Sequence, residues 1–417
     1  MDSLDPIHPA ALDDLIRAEL LGAAGGSDRR LIGVEYERHL LDAATGWTAP
    51  MSAVFELLRR ATSITGGEGV FEGAIQKGVR TAEFELSVEP GGQVEVSTPP
   101  GRDVARLDAA MRAADAVLQR ALQSTGLELV ALGHTPTTPV EEIELLPRTR
   151  YHIMDAQMPK RGALSRNMMR ATAGFQVTLD FADERDGERL LALMFRLSPV
   201  IAAWSANSRM IAGADSGYAS YRHHVWLHTD SDRSALFDRC LDFDGALDGY
   251  IDWVRRARVL FLTRNGDLLP APEQPFERLV ADGVVTRDDL ALHMTSMFPF
   301  VRMRGHVEVR CADSVEWVRA RAFAAILASI AYVPTLRSAV EVMSEALVFR
   351  SLDQLAAFHE DVARAGLSAT LADGRSLCHF AMELAEQAFA ALAASPRGIA
   401  SPDVLEPLRL FESNCAG

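Results

Sequence analysis

The chain has 417 residues, 48% of them hydrophobic, which is enough apolar material for a sizeable globular core and excludes a disordered chain. Its formal charge of −15 at pH 7 excludes non-specific attraction to nucleic acid or to an anionic membrane, so a phosphate-bearing ligand would need metal ions or locally placed arginines. The four cysteines, Cys240, Cys311, Cys378 and Cys415, are scattered without a C-x-x-C pair, which argues for free thiols rather than a disulfide framework or a structural zinc.

The opening residues carry Asp2, Asp5, Asp13 and Asp14 before any apolar run, the wrong sign for a targeting segment, and point to a soluble, cytoplasmic protein. Periodicity predicts a short amphipathic helix over 10–21 and a flexible glycine-rich link over 22–27. From 31 to about 309, period-two segments alternate with helical ones such as 106–124 and 187–197. After Asp313 the pattern is almost wholly helical, over 315–333, 336–350, 352–366 and 378–394. The longest apolar stretch, 322–333, stops at Pro334 and is too short to span a bilayer. The expected class is α+β, with an N-terminal helix and linker (1–30), a core (31–313) and a helical region packed on it (314–417).

Strand alternation sorts side chains into two faces. Over 31–38, Ile32, Val34 and Tyr36 point one way, and Glu35 and Glu37 the other. Over 83–97, an apolar side of Phe84, Leu86, Val88, Val94 and Val96 opposes Glu83, Glu85, Glu89, Gln93 and Glu95, with Pro90-Gly91-Gly92 as the turn between two strands. Over 301–310, Val301, Met303, Val307 and Val309 oppose Arg302, Arg304, His306, Glu308 and Arg310. A face crowded with carboxylates repels itself unless cations occupy it, and hard divalent cations take oxygen ligands of this kind. Arginines on the same surface suit phosphate oxygens, so the pattern reads as a nucleotide-polyphosphate site without a P-loop.

Other chemistries find little support. The glycine-rich segment 65–73 lacks Gly-Lys-Ser/Thr and reads as a surface loop. No H-E-x-x-H helix frames His223, His224 and His228, and on a strand His223 would face away from the other two, so they read as structural histidines. A Gly-x-Ser-x-Gly elbow is absent.

These residues resemble the glutamate–cysteine ligases of the plant and proteobacterial type, which are related to enzymes of the ergothioneine pathway. The resemblance rests on Gly33-Val-Glu-Tyr-Glu37, on Glu89-Pro-Gly-Gly-Gln-Val-Glu-Val-Ser97, on 147–154 with Met158-Pro159, and on 176–181 and 205–208. It continues through 220–226 with Asp230 and Arg233, then 293–299 and 301–313. It implies a glutamine-synthetase-like domain with a curved, mainly antiparallel sheet. It also implies formation of a γ-glutamyl amide between glutamate and cysteine through γ-glutamyl phosphate, the chemistry that opens glutathione biosynthesis. A ligase of the same mechanism with another amine acceptor, or a non-catalytic binding protein on this scaffold, is the alternative.

Carried onto this sequence, the resemblance makes Glu35, Glu37, Glu89, Glu95 and Glu308 the ligands of two or three Mg²⁺ ions, with Gln93 beside them. Arg304 and Arg310 would face the ATP phosphates, and Arg150 and Arg222, with Tyr151 and Trp226, would hold glutamate. The expected partners are these small molecules, with no nucleic acid and no membrane, in a monomer or homodimer. Two departures from the family pattern, Thr172-Ala-Gly174 with Thr178, and Phe300, are expected near the amine pocket. The segment 268–280 falls where plant relatives carry a hairpin cysteine pair, and it contains no cysteine.

Overall fold

Among the described residues nine strands join into one sheet, and every ladder in it is antiparallel. The computed structural model describes residues 5–22, 30–394 and 398–409. In chain order the strands are β1 (Ile32–Asp42), β2 (Glu68–Glu72), β3 (Ile75–Arg80), β4 (Glu85–Val88), β5 (Val94–Ser97), β6 (Leu127–Val130), β7 (Gly174–Leu179), β8 (Val301–Met303) and β9 (Val307–Asp313). Their spatial order is β8-β9-β7-β1-β5-β4-β3-β2, with β6 pairing the far end of β1.

Register decides which side chains share a face, because a slip of one residue would invert the whole set. Glu37 lies opposite Glu95, Glu35 opposite both Ser97 and Gln176, and Ser87 opposite Glu95. Glu308 lies opposite Thr178 on one side and Arg302 on the other. One face therefore carries the acidic and basic residues of β1, β5, β8 and β9. The other carries Val34, Tyr36, Leu86, Val94, Val96, Phe175, Val177, Val307 and Val309, all buried. The helix Glu184–Ser205 packs on β8 and β9, and the helix Trp317–Tyr332 packs on β7 and β1, closing that core.

Helix starts follow local chemistry. Asp103 accepts a hydrogen bond from the Arg106 amide, and Asp183 one from the Asp186 amide, each capping its helix. In the helix Val104–Leu122 the buried positions are Val104, Leu107, Met111, Ala114, Leu118 and Ala121, the spacing of one helical stripe. Among the described residues, no single helix is long and apolar enough to cross a membrane.

Four expectations need correction. The segment 301–310 is a hairpin, not one strand: the chain reverses at Gly305, whose φ of +71° is a left-handed conformation that glycine adopts without strain. Segment 65–73 is not a loop, since Gly66 ends a helix in left-handed geometry and β2 then pairs with β3 at the sheet edge. His223, His224 and His228 lie on or at the end of the helix Tyr221–Leu227, started by Ser220, whose side chain accepts from the His223 amide. Cys240 and Cys311 are free and buried, whereas Cys378, at the start of the helix Leu377–Ala394, is disulfide-bonded. Wide spacing in sequence gave no measure of closeness in space. Cys415 and most of the link 22–27 lie outside the described residues.

Candidate active site

The polar face of the sheet forms one wall of a cavity of about 330 Å³, reached by Glu35, Glu37, Glu89, Glu95, Gln176, Arg302 and Arg310. The opposite wall comes from connecting helices: Arg148, Arg150, Tyr151, Met154, Met168, Met169 and Trp226, with Pro90, Thr172 and Phe298 between. One half of the cavity is ionic. The other sets Arg148 and Arg150 beside the apolar Met154, Met168, Met169 and Trp226.

The turn between β4 and β5 explains why this sequence holds the acidic wall in place. Gln93 accepts from the Gly91 amide (2.9 Å) and donates to the Thr172 carbonyl (2.7 Å), tying the turn to the segment that enters β7. A Cβ at Gly91 would lie 2.0 Å from the Arg170 carbonyl oxygen, so only glycine permits this approach. Gln93 thus spends both ends of its amide on backbone and acts as a brace for Glu89 and Glu95.

Each carboxylate has a distinct setting. Glu95 accepts from Ser87 Oγ (2.8 Å) and Ser97 Oγ (3.1 Å). Glu37 accepts from the Gly174 amide and from Gln176 Nε2 (2.9 Å). Burial, then Glu95 and Glu308, push Glu35 up to about 8. Burial, then Glu37, lift Glu95 to about 7. Burial, followed by Glu95, Glu37 and Glu35, drives Glu89 well above the usual carboxylate range, and burial raises Glu37 against the opposing pull of Arg222. Without a cation, burial and mutual repulsion favour the protonated forms of these carboxyls. A multivalent cation facing them would release the protons, so the donor set fits a hard divalent ion.

Glu308 behaves differently from the four acids with which the sequence groups it. Arg302 Nε (2.8 Å) and Arg310 donate to its two oxygens, and it does not line the cavity. Although burial opposes ionisation, the two guanidinium groups hold it down at about 2. Glu308 is the anchor that fixes the two arginines over the ionic wall, and Arg310 also donates to Gln176.

The structure brings together Glu35, Glu37, Glu89, Glu95, Gln93, Arg150, Tyr151, Trp226 and Arg310, and leaves out Arg304 and Arg222. Arg304 occupies the exposed hairpin turn, and Arg302, one pleat earlier, takes the inward place. Arg222 is buried against the backbone: its guanidinium donates to the Arg310 carbonyl (3.1 Å), and a Cβ on Gly174 would meet it at 2.4 Å. Its nearest charges include Asp313 and Glu37, so it supports the acidic wall from behind. Arg150 lines the cavity while donating to Thr295 Oγ1 (2.7 Å) and the Thr295 carbonyl (2.8 Å). Arg148 was missed; it is held by Glu72 through Nε (2.8 Å) and donates to the Tyr151 hydroxyl (3.1 Å). Of the departures expected at the amine pocket, Thr172 lines the cavity. Phe300 instead stacks on buried His223, with ring centroids 4.5 Å apart, outside the cavity.

An antiparallel sheet with helices packed on its apolar face is a fold that a solved structure shares. The glutamate–cysteine ligase of Francisella tularensis, in complex with AMP, superposes with a TM-score of 0.56 at 11% identity, over 94% of this chain and 83% of that one. Residues 31–414 match the model of glutamate-cysteine ligase family 2, and the chain belongs to that family. Its relatives include the chloroplastic glutamate–cysteine ligase of Brassica juncea, 29% identical over 332 residues, 78% of this chain and 64% of that protein. The Arabidopsis thaliana protein of the same name is also 29% identical over 332 residues, 78% of this chain and 63% of that protein. The match thus spans a little under two thirds of these relatives' length.

Proposed function

We propose that this protein is an ATP-dependent ligase that joins the side-chain carboxylate of glutamate to the amine of cysteine. The observation that carries the reading is the buried wall of Glu35, Glu37, Glu89 and Glu95 faced by Arg302 and Arg310, in a chain of this family. Those four carboxylates would hold Mg²⁺, which when bound supplies charge neutralisation for the ATP phosphates. Metal occupancy is part of the proposal, and the acidity of the donor set supports it.

The chemistry needs no nucleophilic side chain. Glutamate's side-chain oxygen attacks the γ-phosphorus of ATP, the bond to ADP breaks, and the resulting acyl phosphate is attacked by the amine nitrogen, which expels phosphate. Arg302 and Arg310, which line the cavity, would face the transferred oxygens as negative charge grows on them. Arg150, with Tyr151 beside it, offers a cationic wall for the α-carboxylate of glutamate. The apolar wall of Met154, Met168, Met169 and Trp226 keeps water from the acyl phosphate.

The amine is the finer part of the reading. The soft thioether lining suits a thiol-bearing amine such as cysteine, and the names of the relatives support it. The test incubates the protein with ATP, Mg²⁺ and glutamate against a panel of amines while phosphate is followed. Cysteine should give the highest kcat/KM; another amine ahead by tenfold would move the assignment, and no phosphate with any of them would overturn it.

A further inference from the structure

The helix Tyr221–Leu227 has two working faces. Trp226 lines the cavity and Arg222 is buried behind its acidic wall, and residues two further on from each project about 200° around the axis. Those residues are His224 and His228, four apart and on one side of the helix. The helix Leu352–Ala365 packs against that side and supplies Glu360.

The three side chains converge. His224 Nδ1 lies 2.8 Å and His228 Nε2 3.7 Å from Glu360 Oε2, and all candidate ligand atoms fall within 4.8 Å of one another. A tetrahedral ion with bonds of about 2.05 Å sets its ligands about 3.3 Å apart, so the two observed separations bracket the required one. The other carboxylate oxygen, Glu360 Oε1, accepts from the Tyr218 hydroxyl (2.9 Å) and from Arg364 (2.9 Å). Those bonds fix the carboxylate with Oε2 turned to the imidazoles, as outer partners of metal ligands do. His228 is half-exposed, which leaves an entry path and a fourth corner for water.

We propose that His224, His228 and Glu360 form a binding site for zinc that fastens the Arg222-bearing helix to the helix Leu352–Ala365. Two imidazoles and one carboxylate suit a borderline ion such as Zn²⁺ and not Mg²⁺, which favours the all-oxygen wall of the cavity. Binding requires His224 to carry its proton on Nε2, leaving the Nδ1 lone pair for the ion. Arg364 draws on the charge of Glu360 and so weakens its hold on the ion. The inference stands on this geometry and does not depend on the ligase reading.

The test titrates Zn²⁺ into the full chain by calorimetry with Mg²⁺ in excess, so that the carboxylate cavity is already supplied. Wild type should bind one Zn²⁺ per chain and melt a few degrees higher when loaded. His228→Ala, a change at a half-exposed position, should keep the parent's circular dichroism, weaken Zn²⁺ at least about tenfold and lose the melting shift. Glu360→Gln should do the same. Co²⁺ in place of Zn²⁺ should give wild type the intense visible bands of four-coordination, absent from His228→Ala. Equal Zn²⁺ affinity in wild type and His228→Ala, or no stoichiometric uptake by wild type at millimolar Zn²⁺, would overturn the site.

Discussion

Glu95→Gln separates charge from shape at the acidic wall. The hydrogen bonds from Ser87 Oγ and Ser97 Oγ both end on Glu95 Oε1, and a glutamine oxygen accepts both, so the variant should fold as its parent does. One negative charge is lost. At an effective dielectric near 20, a unit charge about 4 Å from a divalent ion interacts by roughly 8 kcal/mol before hydration is subtracted. A net loss of about 3–4 kcal/mol, the scale for one preorganised electrostatic group, corresponds to a fall on the order of 10²–10³-fold in kcat. Stability should move the other way in the metal-free chain. Because Glu95 is raised to about 7 in the folded state, its ionisation costs stability as pH climbs from the ordinary carboxylate value through 7. The variant's advantage in urea denaturation should therefore be absent near pH 4 and grow towards pH 8. Glu83→Gln, at an exposed position outside the cavity, is the control for both measurements. Near-normal turnover in a well-folded Glu95→Gln protein would refute the electrostatic argument.

Arg302→Lys should lower kcat by at least about tenfold, since a lysine cannot fork onto Glu308, while Arg304→Lys on the exposed turn should stay within about twofold; the reverse ranking would restore the sequence-based assignment. Mg²⁺ binding at pH 7 should release protons, because Glu35 is held at about 8 and Glu95 at about 7, and Mg²⁺ affinity should rise between pH 6 and 8. Calorimetric heats that do not change between buffers of different ionisation enthalpy would contradict this. Gly91→Ala should destabilise the fold by several kcal/mol, as its Cβ would meet the Arg170 carbonyl at 2.0 Å; an unchanged urea midpoint would show that the turn can yield. Dithiothreitol should leave activity within about twofold, since Cys378, the disulfide-bonded cysteine, does not line the cavity and the hairpin Phe261–Arg264/Asp267–Pro270 has no cysteine. A reversible several-fold change in rate would implicate the Cys378 bridge.

The acidic wall was legible because its logic is local. Alternation alone puts Glu35 with Glu37, and Glu89 with Glu95, on one face, and the registers Glu37 to Glu95 and Glu35 to Gln176 then bring the strands together. What failed depended on turns and on distant partners. A three-residue reversal at Gly305 preserves the parity of the flanking strands, so a hairpin imitates one strand and Arg304 seems equivalent to Arg302. Arg148 sat inside a quoted motif, yet its fixed position comes from Glu72, 76 residues earlier in the chain. A helix of seven residues is too short for its period to stand out, and the Ser220 cap was the cue that could have revealed it. Nothing local announces Glu360, 136 residues beyond His224.

Attack of glutamate's side-chain oxygen on the γ-phosphorus of ATP is the step on which the proposed function rests. It is tested most directly with glutamate labelled with ¹⁸O in the side-chain carboxylate, incubated with the protein, ATP, Mg²⁺ and cysteine, and the released phosphate analysed by mass spectrometry. Each phosphate should carry one labelled oxygen, with ADP as the other product. Unlabelled phosphate, or AMP with pyrophosphate in place of ADP, would contradict that step.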